Sequence, residues 1–306
     1  MSRTNPFGPQ EIDPEVVARA VMEHTVLGSL AAKPMPAAAA DRPAPARHVV
    51  AIASGKGGVG KSTVSLNLAL ALRERGFMVG LLDADVYGPD IPLMVNLTRK
   101  TRRKEWTFWQ NPKEGRIVLE PVRRFSLEIM SVGFLLAEDQ AVTWSSQLVH
   151  VLVRQLLEDV SWGDLDFMVV DLPPGTADLQ QQLIELLPLA AAIVVVGPQD
   201  VAHLDARKAL EMFGEANVRV LGAVENMTRL DCPHCGKPID VFPQVPAERS
   251  IFSSGVAAIG RIPVDPAISL AGDRGRPVLV AAPTSAPANA FREIARRTVY
   301  ALGAQP

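Results

Sequence analysis

Short apolar, β-branched runs recur along this chain, and each ends on small or acidic residues. Val49-Val50-Ala51-Ile52-Ala53 has no polar position, which predicts a parallel strand buried on both faces. Phe77 to Leu82 reads as a strand ending at Asp83-Ala84-Asp85, and Asp166 to Val170 as one ending at Asp171. Val218 to Val224 is another. Between the first two, Thr63 to Arg75 is rich in Leu and Ala and reads as a helix that Gly76 stops. Phe291, Ile294, Ala295 and Val299 recur at helical spacing, with Arg292, Arg296 and Arg297 elsewhere. A helix packed on the sheet fits that pattern, and a membrane-surface helix is the other reading. The alternation predicts one α/β domain over residues 48–306, a doubly wound, mostly parallel sheet with helices on both faces.

The segment between the first strand and the first helix carries the chemistry. Gly55-Lys56-Gly57-Gly58-Val59-Gly60-Lys61-Ser62 fits the phosphate-loop pattern G-x-x-x-x-G-K-[ST], and Thr63 follows. A loop at this junction converges backbone N–H groups and a helix dipole on an anion. The glycines let the backbone curl around phosphate oxygens. Lys61 would neutralise the β- and γ-phosphates of ATP, and the Ser62 hydroxyl would bind Mg²⁺. A carboxylate at the C-terminal end of a parallel strand lies in the crevice where open α/β sheets hold ligands. Asp171, followed by Leu172-Pro173-Pro174-Gly175-Thr176, would hold Mg²⁺. Asp85 would orient the attacking water or cap a turn.

Lys56, the second lysine, resembles the deviant phosphate loop of the SIMIBI-class ATPases. Asp83-Ala84-Asp85-Val86-Tyr87-Gly88-Pro89-Asp90-Ile91-Pro92 is more specific, as are Asp171 to Thr176, Pro198 to Ala202, Val224-Glu225-Asn226-Met227 and Cys232-Pro233-His234-Cys235-Gly236. Together they resemble the Mrp/Nbp35 (ApbC-like) iron–sulfur carrier ATPases from about Val49 to the C-terminal helix. The resemblance implies a homodimer in which Lys56 reaches the partner's phosphates and Asn226 reads the adenine base. It also implies apo iron–sulfur proteins as recipients. Three departures stand out. Trp144-Ser145-Ser146-Gln147 replaces Trp-Arg-Gly-Pro, Phe242-Pro243-Gln244-Val245-Pro246 replaces a glycine-rich stretch, and Ala177 replaces Gly. None touches the phosphate site.

The chain has two cysteines, Cys232 and Cys235, in one C-x-x-C. Two thiolates at this spacing can chelate one soft metal centre, and a [4Fe–4S] or zinc site normally needs four ligands. A two-fold dimer would bring two pairs together, giving a [4Fe–4S] cluster bridging a dimer. A redox disulfide and a structural zinc pair are the other readings, with His234 a ligand or a solvent-exposed bystander.

The formal net charge is −2, so there is no broad nucleic-acid footprint. No apolar run is long and clean enough to span a membrane. Free cysteines and ATP chemistry point to the cytoplasm. Residues 1–47 read as a stub helix, from Pro14 to about Val26 behind Asp13, and an Ala/Pro linker. Arg99 to Lys104, with Trp106 and Trp109 behind it, reads as a solvated insertion loop or as a partner or nucleic-acid patch. Two rivals use the same lysine. A MinD/ParA-type positioning ATPase acting on membrane or DNA leaves the cysteines without a role. A nitrogenase iron protein-like reductase would have its cysteines far apart.

Overall fold

Strand β1 (Ala46–Ala53) runs through the middle of an eight-stranded sheet. The sheet order is β12 (Ala258–Arg261), β9 (Val220–Glu225), β8 (Ala191–Val196), β1, β7 (Leu165–Asp171), β2 (Val79–Asp83), β6 (Leu127–Ser131) and β5 (Val122–Arg124). All neighbours pair in parallel except β5, an antiparallel edge on β6. This computed structural model describes residues 44–97, 108–110, 117–134, 146–175, 178–232 and 234–306. The expected N-terminal helix, the basic run Arg99–Lys104 with Trp106, and Trp144 and Ser145 lie outside them.

Residues Val49 to Ala53 are at most 1% exposed, as are all of β8 and most of β7. Burial on both faces is why these strands read as unbroken apolar runs. β1 begins at Ala46, two residues before the expected domain start. Ala46 pairs with Leu165 of β7, and Arg47 lies 3.0 Å from Asp166, so the register carries the strand into the expected linker.

Helix α1 (Lys61–Glu74) connects β1 to β2, and α5 (Asp200–Glu215) connects β8 to β9. The two crossovers move in opposite directions from β1, and crossovers of one hand then lie on opposite faces. Helix α8 (Ala286–Leu302) packs on α1 and β12. It buries Phe291, Ile294, Ala295 and Val299, and its Arg292 pairs with Glu74 of α1 at 2.7 Å. The apolar stripe read from the sequence is therefore a core face. Helices α3 (Ser146–Glu158) and α4 (Asp178–Leu186) pack together. Short helices α2 (Ile91–Met94), α6 (Pro266–Asp273) and α7 (Val278–Ala281), and hairpins β3 (Phe108–Gln110) with β4 (Ile117–Leu119) and β10 (Leu230–Asp231) with β11 (Pro238–Ile239), complete the α-helices and strands among the described residues. Among the described residues, no helix is long and apolar enough to cross a membrane.

Candidate functional site

The phosphate loop leaves β1 at Ser54 and enters α1 at Lys61, two residues before the helix start expected from composition. Gly60 is the residue before the helix, at φ 85° and ψ 27°, a left-handed conformation that disfavours any side chain. Among the described residues no side chain caps α1, which leaves its first-turn N–H groups for an anion. The loop is packed from outside. A Cβ at Gly55 would lie 2.2 Å from the Asp205 carbonyl carbon of α5, so helix backbone rests directly on the glycine. Ser54 Oγ donates to the Lys56 carbonyl at 3.0 Å, and the Gly175 N–H donates to the Ser54 carbonyl at 2.9 Å. The Pro173-Pro174-Gly175 turn is thus tied to the loop.

Lys61 is 6% exposed and faces two carboxylates, Asp171 at 2.8 Å and Asp85 at 3.3 Å. Ser62 Oγ donates to Asp171 Oδ2 at 2.7 Å. These two oxygen donors, one anionic, form a hard set that fits Mg²⁺. Asp83 lies beside Asp171 in the register of β2 and β7. Burial alone pulls the Lys61 ammonium down, but Asp171, Asp85 and Asp83 outweigh it and the net shift is upward. Burial, reinforced by the Asp171 charge, pushes Asp83 well above the usual carboxylate range against Ser131 and Lys61. Burial also raises Asp85, against the pull of Lys61.

Asp85 caps a turn and also reaches the phosphate-loop lysine. One oxygen accepts from the N–H groups of Tyr87 and Gly88, closing a turn, and the other faces Lys61. Two serines escaped the sequence reading. Ser65 Oγ donates to Asp171 Oδ1 at 2.6 Å, and its place four residues after Lys61 on α1 was the available signal. Ser131 Oγ donates to Asp83 Oδ2 at 2.7 Å, and only the pairing of β6 with β2 brings it there. Lys56 is half-buried and makes no ion pair among the described residues. Asn226 is buried against the loop at Val59 and Gly60.

The cysteines occupy the turn of the β10–β11 hairpin, which leaves the same C-terminal rim of the sheet. The Cys232 N–H donates to the Lys237 carbonyl at 2.9 Å, and the Gly236 N–H to the Cys232 carbonyl at 2.8 Å. Both thiols are free, Cys232 half-buried and Cys235 exposed. Backbone N–H groups of His234 and Cys235, and the Cys235 thiol, draw the Cys232 thiol below its ordinary value. A turn that stabilises a thiolate this way suits a soft metal. Among the described residues, no group of three or more His, Cys, Asp or Glu side chains could hold a metal ion.

The family model described as "ParA: NUBPL iron-transfer P-loop NTPase" matches residues 45–299. The chain belongs to this family of iron-transfer P-loop NTPases. Its phosphate loop is therefore that of an ATPase. An "iron-sulfur cluster carrier protein" of Synechocystis is 42% identical over 252 residues, spanning 82% of this chain and 70% of that protein. The mouse "iron-sulfur cluster transfer protein NUBPL" is 40% identical over 263 residues, spanning 85% of this chain and 79% of its own. A nucleotide-binding protein from Archaeoglobus fulgidus, solved in complex with ADP, superimposes with a TM-score of 0.63 at 33% identity. That match covers 76% of this chain and 88% of the archaeal one. The family carries the resemblance first read from Lys56 and the cysteine motif.

Proposed function

We propose that this protein is an ATP-hydrolysing carrier that assembles or transfers a [4Fe–4S] cluster to apo-proteins, working as a homodimer in the cytoplasm. The observation that carries this reading is the hairpin with two free thiols and no third ligand beside them among the described residues. Two copies related by a two-fold axis supply four thiolates, the number a [4Fe–4S] cluster takes.

At the phosphate loop, Lys61 exchanges its contacts with Asp171 and Asp85 for the β- and γ-phosphates. Ser62 and Asp171 would hold Mg²⁺, which would supply positive charge beside the phosphates. Asp85 turns toward the attacking water once Lys61 has left it. Lys56, without a counter-ion among the described residues, reaches the phosphates of the partner subunit. The positioning-ATPase reading loses its membrane element, because the apolar stripe of α8 is packed against α1 and β12.

The test is anaerobic reconstitution with iron and sulfide, followed by metal analysis and solution mass. About four irons per dimer are expected, and changing either cysteine to Ser should remove the visible absorption while sparing most ATPase activity. Iron near four per monomer would contradict the bridging arrangement. Bound zinc without sulfide would make the hairpin a structural metal knuckle.

A further inference from the structure

Asn226 stands at the corner where β9 leaves the sheet, 5% exposed. Its backbone N–H donates to the Val196 carbonyl at the end of β8, 2.8 Å away. The side chain is engaged at both ends. Nδ2 donates to the Val59 carbonyl at 2.8 Å, and Oδ1 accepts from the Met227 N–H at 3.0 Å. Met227 has a φ of 58°, a left-handed conformation that is costly for a residue with a side chain. The Asn226 acceptor helps to hold that corner. No gap separates the amide from the phosphate loop, since a Cβ at Gly60 would lie 2.2 Å from Asn226 Nδ2.

The Val59 carbonyl and the Gly60 N–H belong to one peptide plane, and in a trans peptide they point in opposite directions. A donor that fixes the carbonyl on one side therefore aims the N–H to the other. We propose that Asn226 is a positioning residue for the phosphate loop, anchoring the Val59–Gly60 peptide to the end of β9 so that the loop is set before any ligand arrives. This goes beyond adenine recognition, the role implied by family resemblance. A base reader matters only to ligands with a base, whereas a loop anchor matters to every ligand with phosphates. The inference rests on the assignment of residues 55–62 as the phosphate loop.

Two variants separate the possibilities. Asn226→Ala removes both contacts. Asn226→Asp keeps the size and the acceptor for the Met227 N–H but sets an oxygen against the Val59 carbonyl. Amide hydrogen exchange of the ligand-free protein is read over residues 54–66, with residues 220–225 reporting that β9 remains folded. Both variants should speed exchange in the loop on the order of tenfold, the effect of one lost buried hydrogen bond, and leave β9 unchanged. Affinities for Mg²⁺ with ATP and for Mg²⁺ with inorganic tripolyphosphate should fall by a similar factor. Wild-type exchange in the loop of both variants would overturn the proposal. So would wild-type behaviour of Asn226→Asp, or a loss confined to ATP with tripolyphosphate binding intact. Should the wild-type protein bind neither ligand, the phosphate-loop assignment fails, and the exchange measurement still decides whether Asn226 orders this segment.

Discussion

Lys61 Nζ lies 2.8 Å from Asp171 Oδ2, so the loop's principal cation is neutralised by the very carboxylate assigned to Mg²⁺. Asp85, 3.3 Å from the same Nζ, is a second carboxylate on that lysine. Removing either partner of this buried pair would leave an uncompensated charge.

Lys61→Ala should lower ATP affinity by roughly 100-fold, since it removes a charge-assisted contact to the phosphates. Asp171→Ala should leave more binding and lose Mg²⁺-dependent turnover. Calorimetric titration with ATP and Mg²⁺ checks the first, and phosphate release checks the second. Wild-type affinity in the lysine variant would remove the site assignment.

Ser65→Ala deletes the hydroxyl that donates to Asp171 Oδ1 at 2.6 Å. The carboxylate then keeps Ser62 and Lys61 but loses its fixed orientation. Turnover should fall about tenfold, within what one hydrogen bond to a charged group contributes, and the Mg²⁺ concentration for half-maximal rate should rise. Steady-state kinetics across a Mg²⁺ series would detect both. An unchanged Mg²⁺ dependence would assign Ser65 a packing role only.

Lys56→Ala should spare ATP binding more than Lys61→Ala does, yet slow hydrolysis. Mixing the two variants gives the decisive comparison. If Lys56 acts across a dimer on developing phosphate charge, mixed dimers pair an intact Lys56 with an intact phosphate site, and activity exceeds that of either parent. No gain on mixing would confine Lys56 to its own subunit.

The raised pKa of Asp83 sets a sign for pH dependence. Burial and Asp171 place its folded value above its unfolded one. Stability linked to Asp83 is therefore full below the unfolded pKa and is lost as pH rises through the folded value. The melting temperature of Asp83→Asn should gain on that of the ligand-free wild type as pH rises from about 4, the unfolded carboxylate range, toward neutrality. Thermal melts without Mg²⁺ or nucleotide measure this. A constant difference across that range would mean that Asp83 carries no net burden when buried.

The sequence by itself determined the local parts. Val49 to Ala53, the glycines of residues 55–60, and the Lys61-Ser62 pair are contiguous, and their chemistry needs only a strand before and a helix after. The fold class was legible for the same reason, since strands buried on both faces leave unbroken apolar runs. Cys232 and Cys235 were legible as a pair because their spacing is local. Tertiary structure decided the relations between distant segments. It set Asp83 beside Asp171, brought Ser131 onto Asp83 by pairing β6 with β2, and seated α5 on Gly55. It also pressed Asn226 against Val59. Such contacts depend on strand order and on which faces meet, and a one-residue change of register would send each side chain to the other face of the sheet. No local pattern encodes that order, because the free energy that selects it comes from burying all the strands together.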